Sequence, residues 1–177
     1  LVGMMGSGKT SVGRVLAKKL DVPFVDSDEE IERASSYKIA ELFARFGEVY
    51  FREKETQVLL RLLRNEPHIL STGGGAWMNH TNRVNLANFG VPVWLKAETN
   101  LLWARVKGKA NRPLLQTENP YETLRELYES RAPIYAMAPV HVPVFSTHTV
   151  QDTSRSVIRA LEKHGGVLET VEDDASI

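Results

Sequence analysis

Apolar residues recur along this chain with the spacing of amphipathic helices, broken by short apolar runs of strand length. Val12, Val15, Leu16 and Leu20 share one helical face, with Arg14, Lys18 and Lys19 on the other, which predicts a helix ending near Leu20. Leu1 and Val2 before it read as the end of a buried strand. After a turn at Asp21, Val22 and Pro23, the run Phe24-Val25-Asp26 predicts a second buried strand. Ser27 with Glu30 forms a capping box for a helix starting near Glu29. Residues 31–64 stay helical without a strand: Ile39, Leu42 and Phe43 make one apolar face, Phe51, Val58, Leu59 and Leu62 another, and Gly47 lies near the junction. Residues 29–64 are therefore expected to form a helical insertion between two strands.

Pro67 stops that run, and residues 68–71 form the next strand, which opens into Thr72-Gly73-Gly74-Gly75. A helix over 79–87 follows, closed by Asn88, Phe89 and a C-capping Gly90. Residues 91–95 are strand-like, with Pro92 marking a sheet edge or a strand start. Helices are predicted over 99–107, 121–130 and 154–164, and a strand over 140–145. Residues 108–119 lack apolar periodicity, and the acidic stretch 165–177 reads as a loosely held tail. Alternating strands and helices imply a parallel sheet covered on both faces, in one domain over residues 1–164.

Composition narrows the function. An apolar fraction of 42% over 177 residues supports one proper core. Lys and Arg total 22, as do Asp and Glu, so no general attraction to nucleic acid or anionic membrane is expected. Cysteine is absent, which excludes disulfides, thiolate catalysis and zinc–thiolate sites and suits a reducing cytoplasm. No apolar run approaches the ~20 residues that span a bilayer. The five histidines show no metal-ligand spacing. Because only two residues precede the first glycine-rich turn, a trimmed N-terminus is expected.

That turn carries the chemistry. Gly3-Met4-Met5-Gly6-Ser7-Gly8-Lys9-Thr10 fits G-x-x-x-x-G-K-[ST] at every fixed position. Gly6 and Gly8 permit positive φ, so backbone N–H groups can turn inward around phosphate oxygens. Lys9 supplies charge to the β- and γ-phosphates, Thr10 supplies a hydroxyl to Mg²⁺, and the following helix aims its positive end at the same anion. Strand before and helix after are the context such a loop needs.

Other motifs read two ways when taken singly. Asp26 and Asp28 flank one residue, so an extended segment would turn both toward one site; they also suit an ordinary acidic helix start. Arg52 and Glu55 stand at i, i+3, either as a surface ion pair or as a carboxylate fixing a planar fork that grips an acid. Gly73, Gly74 and Gly75 allow either close backbone approach to a ligand or a flexible loop.

In order, GxxxxGKT, DxD, FRxxE, GGG, Arg112-Pro113-Leu114-Leu115 and Arg131-Ala132-Pro133-Ile134-Tyr135 resemble the shikimate kinase family, from Gly3 through Tyr135. The resemblance implies a P-loop, nucleoside-monophosphate-kinase-like α/β fold: a three-layer sandwich around a five-stranded parallel sheet. It implies transfer of the γ-phosphoryl of ATP to the 3-hydroxyl of shikimate, giving shikimate 3-phosphate and ADP, with Mg²⁺ as cofactor. It assigns Gly6, Ser7, Gly8, Lys9, Thr10 and Ser11 to the ATP phosphates, with Thr10 on Mg²⁺ and Asp26 reaching the metal through water. Asp28 would bind the shikimate hydroxyls and act as base. Arg52 and Arg131 would grip the carboxylate, and Gly73, Gly74 and Gly75 would line the substrate site. Ile39, Phe43 and Phe51 would form apolar walls, and Arg112 would close over the ATP phosphates from a lid at 108–119. A cytoplasmic monomer binding ATP and shikimate, but neither nucleic acid nor membrane, is expected. A gluconate-type carbohydrate kinase would share the phosphate loop without FRxxE, GGG and RAPxY. A non-catalytic sensor of the substrate would be expected to lose Lys9, Thr10 or Asp28, and all three are present. Residues 146–152, where this family often contacts adenine, carry no sharp motif.

Overall fold

The computed structural model describes residues 1–108 and 113–168, apart from the side chain of Pro113. Helix α1 (Lys9–Leu20) is followed by β1 (Phe24–Asp26), α2 (Ser27–Ser35) and α3 (Ile39–Leu62). Strand β2 (Ile69–Ser71) leads through a 3₁₀ turn (Ala76–Met78) into α4 (His80–Phe89). Then come β3 (Val93–Ala97), α5 (Thr99–Val106), a second 3₁₀ turn (Pro113–Leu115), α6 (Pro120–Tyr135), β4 (Val140–Val144) and α7 (Val150–His164).

All strand pairs are parallel: β1 lies beside β2, with Val25 opposite Leu70, and β3 beside β4, with Leu95 opposite Val142. Residues 1–2 join the two pairs. Val2 bridges Trp94, its N–H donates to Val93 O, and Leu1 O accepts from the Thr72 N–H. Among the described residues the sheet thus has four strands, and the expected fifth is a single-residue bridge, because the chain turns into the phosphate loop straight after Val2. β3 is buried at four of its five positions, as an interior strand must be. β4 alternates buried valines with exposed His141 and Pro143, and an edge strand is where such a proline is tolerated. α1 packs on α7, and these two cover β2 and β4, while α3, α4, α5 and α6 are joined through one another and the first 3₁₀ turn. The main core runs through Val2, Leu16, Leu59, Leu95, Leu102, Leu124, Val142 and Val157.

α2 and α3 lie between β1 and β2, where the helical insertion was expected, with a small core of their own around Ile31, Leu42 and Phe51. Gly47, at φ 80° and ψ 172°, breaks α3 into two limbs. Several boundaries differ from expectation. α2 starts at Ser27 rather than near Glu29, because Asp26, not Ser27, caps it by accepting from the Asp28 N–H at 3.0 Å. Gly90 is extended, at φ −171°, and gives no left-handed cap. α6 continues through Pro133 to Tyr135, and α7 begins four residues early, on a capping box between Thr149 and Asp152. No helix among the described residues is long and apolar enough to cross a membrane. Residues 109–112 of the expected lid and 169–177 of the expected tail lie outside the described residues.

Candidate active site

Two cavities open side by side at the C-terminal ends of the strands. The first, about 470 Å³, is lined by residues 5–12, Asp26, Asp28, Thr72, Gly74, Arg105 and a wall from His148 to Thr153. Gly6 (φ 80°) and Gly8 (φ 98°) make the turn that carries the loop, and Gly8 is the N-cap of α1 with no side-chain cap. The first N–H groups of α1 are therefore left for an anion, where the helix dipole favours one. Lys9 is nine-tenths buried, and its ammonium donates to Gly3 O at 2.8 Å and Met4 O at 3.0 Å. The Ser7 hydroxyl, buried in the same loop, has no hydrogen-bond partner among the described residues. Thr10 Oγ1 donates to Asp26 Oδ2 at 2.9 Å, so one carboxylate both caps α2 and meets the loop hydroxyl.

The second cavity, about 540 Å³, is lined by Ile39, Phe43, Phe51, Arg52, Glu55, Gly73, Gly74, Gly75, Leu114 and Arg131, with Glu32 and Lys38 among its other lining residues. Arg52 and Glu55 pair at 2.8 Å, and Glu55 is 1% exposed, so this is a pair within the cavity wall rather than a surface pair. Glu48 adds a second carboxylate at 3.2 Å, and the Arg52 guanidinium lies 5.1 Å from the Phe51 ring centre. Burial disfavours the charge on Arg52, but Glu55 and Glu48 outweigh it and push its pKa up. Burial pushes the Glu55 pKa up, against the opposing pull of Arg52 and Arg131.

Two of the three glycines are a packing requirement. A Cβ at Gly73 would come within 2.6 Å of Asp28 Oδ1, and one at Gly75 within 2.6 Å of Arg52 Nη2. Removing both lets the carboxylate and the guanidinium press against the backbone of one turn. The Gly73 N–H donates to Ser27 Oγ at 3.0 Å, which ties the ends of β1 and β2 together. The Gly74 carbonyl accepts from the Tyr135 hydroxyl.

Gly6, Ser7, Gly8, Lys9, Thr10, Ser11 and Asp26 thus fall at the first cavity, and Arg52, Arg131, Gly73 and Gly75 at the second. Met5, Asp28 and Gly74 border both. Asp28 reaches that boundary from the first turn of α2, not as the alternate residue of an extended segment. Arg112 lies outside the described residues. Two features escaped the sequence. His148, Thr149, Val150 and Thr153 line the first cavity within and beside the stretch that carries no motif. Arg105 Nη1 donates to Gly6 O at 3.1 Å and holds the phosphate loop from α5. A lone cation in the last turn of an amphipathic helix is equally expected from the helix dipole, so nothing singled Arg105 out.

Comparison with known proteins agrees with this geometry. The shikimate kinase family model matches residues 5–162. A shikimate kinase of Cereibacter sphaeroides is 57% identical over 172 residues, covering 97% of this chain and 86% of its own. The structure of a shikimate kinase from Acinetobacter baumannii in complex with shikimate superposes with a TM-score of 0.86 at 38% identity, covering 92% of this chain and 91% of that one. A gluconokinase from Sinorhizobium meliloti, at 19% identity and a TM-score of 0.58 over 92% of this chain and 90% of its own, shares the fold alone. A nucleotide-type phosphate loop opening beside an arginine-lined pocket, and a family match across most of the chain, lead to one conclusion: this protein belongs to the shikimate kinase family.

Proposed function

We propose that this ATP-dependent phosphotransferase holds ATP in the first cavity and shikimate in the second, and moves the γ-phosphoryl onto the 3-hydroxyl where the cavities meet. The observation that carries it is their common border at Met5, Asp28 and Gly74, with Lys9 on one side and Arg52 and Arg131 on the other. Phosphoryl transfer needs alignment and charge neutralisation more than covalent help. The loop N–H groups and Lys9 take up the phosphate charge, and Arg105 holds the loop carbonyls in place. Arg112 is assigned to the same clamp by family resemblance. Asp28 orients the acceptor hydroxyl and takes its proton as the oxygen–phosphorus bond forms and ADP leaves. Arg52, steadied by Glu55, and Arg131 grip the carboxylate, with Ile39, Phe43 and Phe51 against the ring.

Thr10 Oγ1 and Asp26 Oδ2, adjacent hard oxygens 2.9 Å apart beside the phosphate loop, suit Mg²⁺, which takes few protein ligands and completes its shell with phosphate oxygens and water. Bound there, with Asp26 acting through water, Mg²⁺ would neutralise charge on the β- and γ-phosphates. The protein is expected to act as a cytoplasmic monomer, with no nucleic-acid or membrane partner.

Acid recognition separates this reading from a sugar kinase. Wild type should consume ATP with shikimate far faster than with the analogue whose carboxylate is reduced to an alcohol. Arg52→Lys keeps the charge but loses the planar fork, so KM for shikimate should rise ~10-fold or more and most of the acid preference should vanish. Equal phosphorylation of acid and alcohol by wild type would show that Arg52 and Arg131 are not an acid clamp.

A further inference from the structure

The two arginines of the proposed acid clamp come from separate elements, Arg52 from α3 and Arg131 from α6. Arg52 is registered against the glycine turn by direct contact, since its guanidinium fills the space a Gly75 Cβ would take. Arg131 needs an equivalent register, and the end of α6 is tied by two part-buried hydrogen bonds to the glycine turn and the 3₁₀ turn after it. The Tyr135 hydroxyl donates to the Gly74 carbonyl, and Trp77 Nε1, from the 3₁₀ turn that follows the glycines, donates to Ile134 O at 2.8 Å. Tyr135 is fully buried and its ring stacks on Trp94 with centres 5.9 Å apart, so the phenol has one available orientation. It stands four residues after Arg131, on the same helical face. Burial, partly opposed by the neighbouring Arg131, raises the phenol pKa to about 12, which keeps the hydroxyl a proton donor throughout the working range.

We propose that Tyr135 is a positioning residue for substrate binding: its hydroxyl, with Trp77, clamps the end of α6 to the glycine turn and so fixes Arg131 and the Gly74 peptide relative to Arg52. Because C=O and N–H of a trans peptide point opposite ways, holding the Gly74 carbonyl also fixes where the Gly75 N–H points. The inference rests on the proposed reading of the second cavity as an acid site.

Tyr135→Phe keeps the ring and its stacking and deletes only the hydroxyl, which donates to Gly74 O and also pairs with Arg131. With the protein folded by its melting profile, KM for shikimate should rise about 5-fold or more, and by more than kcat or KM for ATP changes, since the hydroxyl ties α6, which carries Arg131, to Gly74, which borders both cavities. The acid-over-alcohol preference should fall in parallel. A role in stability alone would instead lower the melting temperature and the active fraction, moving kcat and leaving KM in place, and would overturn the proposal. So would an unchanged KM in Tyr135→Phe when Arg52→Lys raises it; the acid clamp would then stand without Tyr135. If Arg52→Lys is also without effect, the acid-site reading falls and takes the inference with it. Should Tyr135→Phe not fold, Trp77→Phe, which removes the second tie, is read by the same split, and an unchanged KM there overturns the proposal.

Discussion

Asp28 stands in the first turn of α2, but the cap of that helix is Asp26, and the part of Asp28 engaged in capping is its backbone N–H. Asp28→Asn should therefore leave α2 intact, which separates chemistry from folding more cleanly than the sequence allowed. If the carboxylate orients and deprotonates the acceptor hydroxyl, kcat should fall by about 10²–10⁴ in steady-state assays with nucleotide affinity nearly unchanged. Activity within about 3-fold of wild type would remove Asp28 from the mechanism. Placements that follow from fixed local spacing, such as Lys9 and Thr10 beside one cavity and the pairing of Arg52 with Glu55, were legible in the sequence. Ser27 and Tyr135 were not. Each makes a hydrogen bond to a glycine 46 or 61 positions away, a contact that no local pattern encodes.

Element types followed the apolar rhythm, and the errors gathered at the ends, where capping chemistry decides. α7 starts at Val150 because Asp152 caps it from within: its carboxylate accepts from the Thr149 N–H at 2.9 Å, while the Thr149 hydroxyl accepts from the Asp152 N–H at 3.1 Å. Pro133 does not stop α6. Its missing N–H strands only the carbonyl of Glu129, an exposed position where water can serve. The α7 cap borders the first cavity and should respond to acid. Hydrogen bonds from the Thr149 hydroxyl and N–H, with Arg155 beside them, pull Asp152 from 3.8 down to about 2. The folded state thus holds fewer protons than the unfolded one in that window, so this contribution is complete above about pH 4 and is lost as pH falls toward 2. Asp152→Asn should flatten the pH dependence of unfolding between those values, visible in the difference between the two melting curves. Parallel slopes would show that the cap adds nothing.

Strand-and-helix alternation was enough to predict a parallel, covered sheet, but not the order of its strands. Residues 1–2 come first in the chain yet lie between the strand pairs, and that placement depends on crossovers that periodicity does not record. The same placement puts the phosphate loop at the middle of the sheet, between a pocket built by the helical insertion and one walled by α7. Among the described residues, only Met5, Asp28 and Gly74 border both. A partition that thin makes the pair behave as one long trough toward any molecule able to lie along it. An adenosine polyphosphate joined covalently to shikimate through the 3-oxygen would reach both ends at once, and its second half would bind at an effective concentration in the millimolar range. Calorimetry should find it binding about 10²–10⁴-fold more tightly than ATP or shikimate alone. That avidity should collapse in Arg52→Lys, leaving affinity near that of the nucleotide half. A conjugate that gains nothing over ATP would mean that the two sites, though neighbours, cannot be filled along one line.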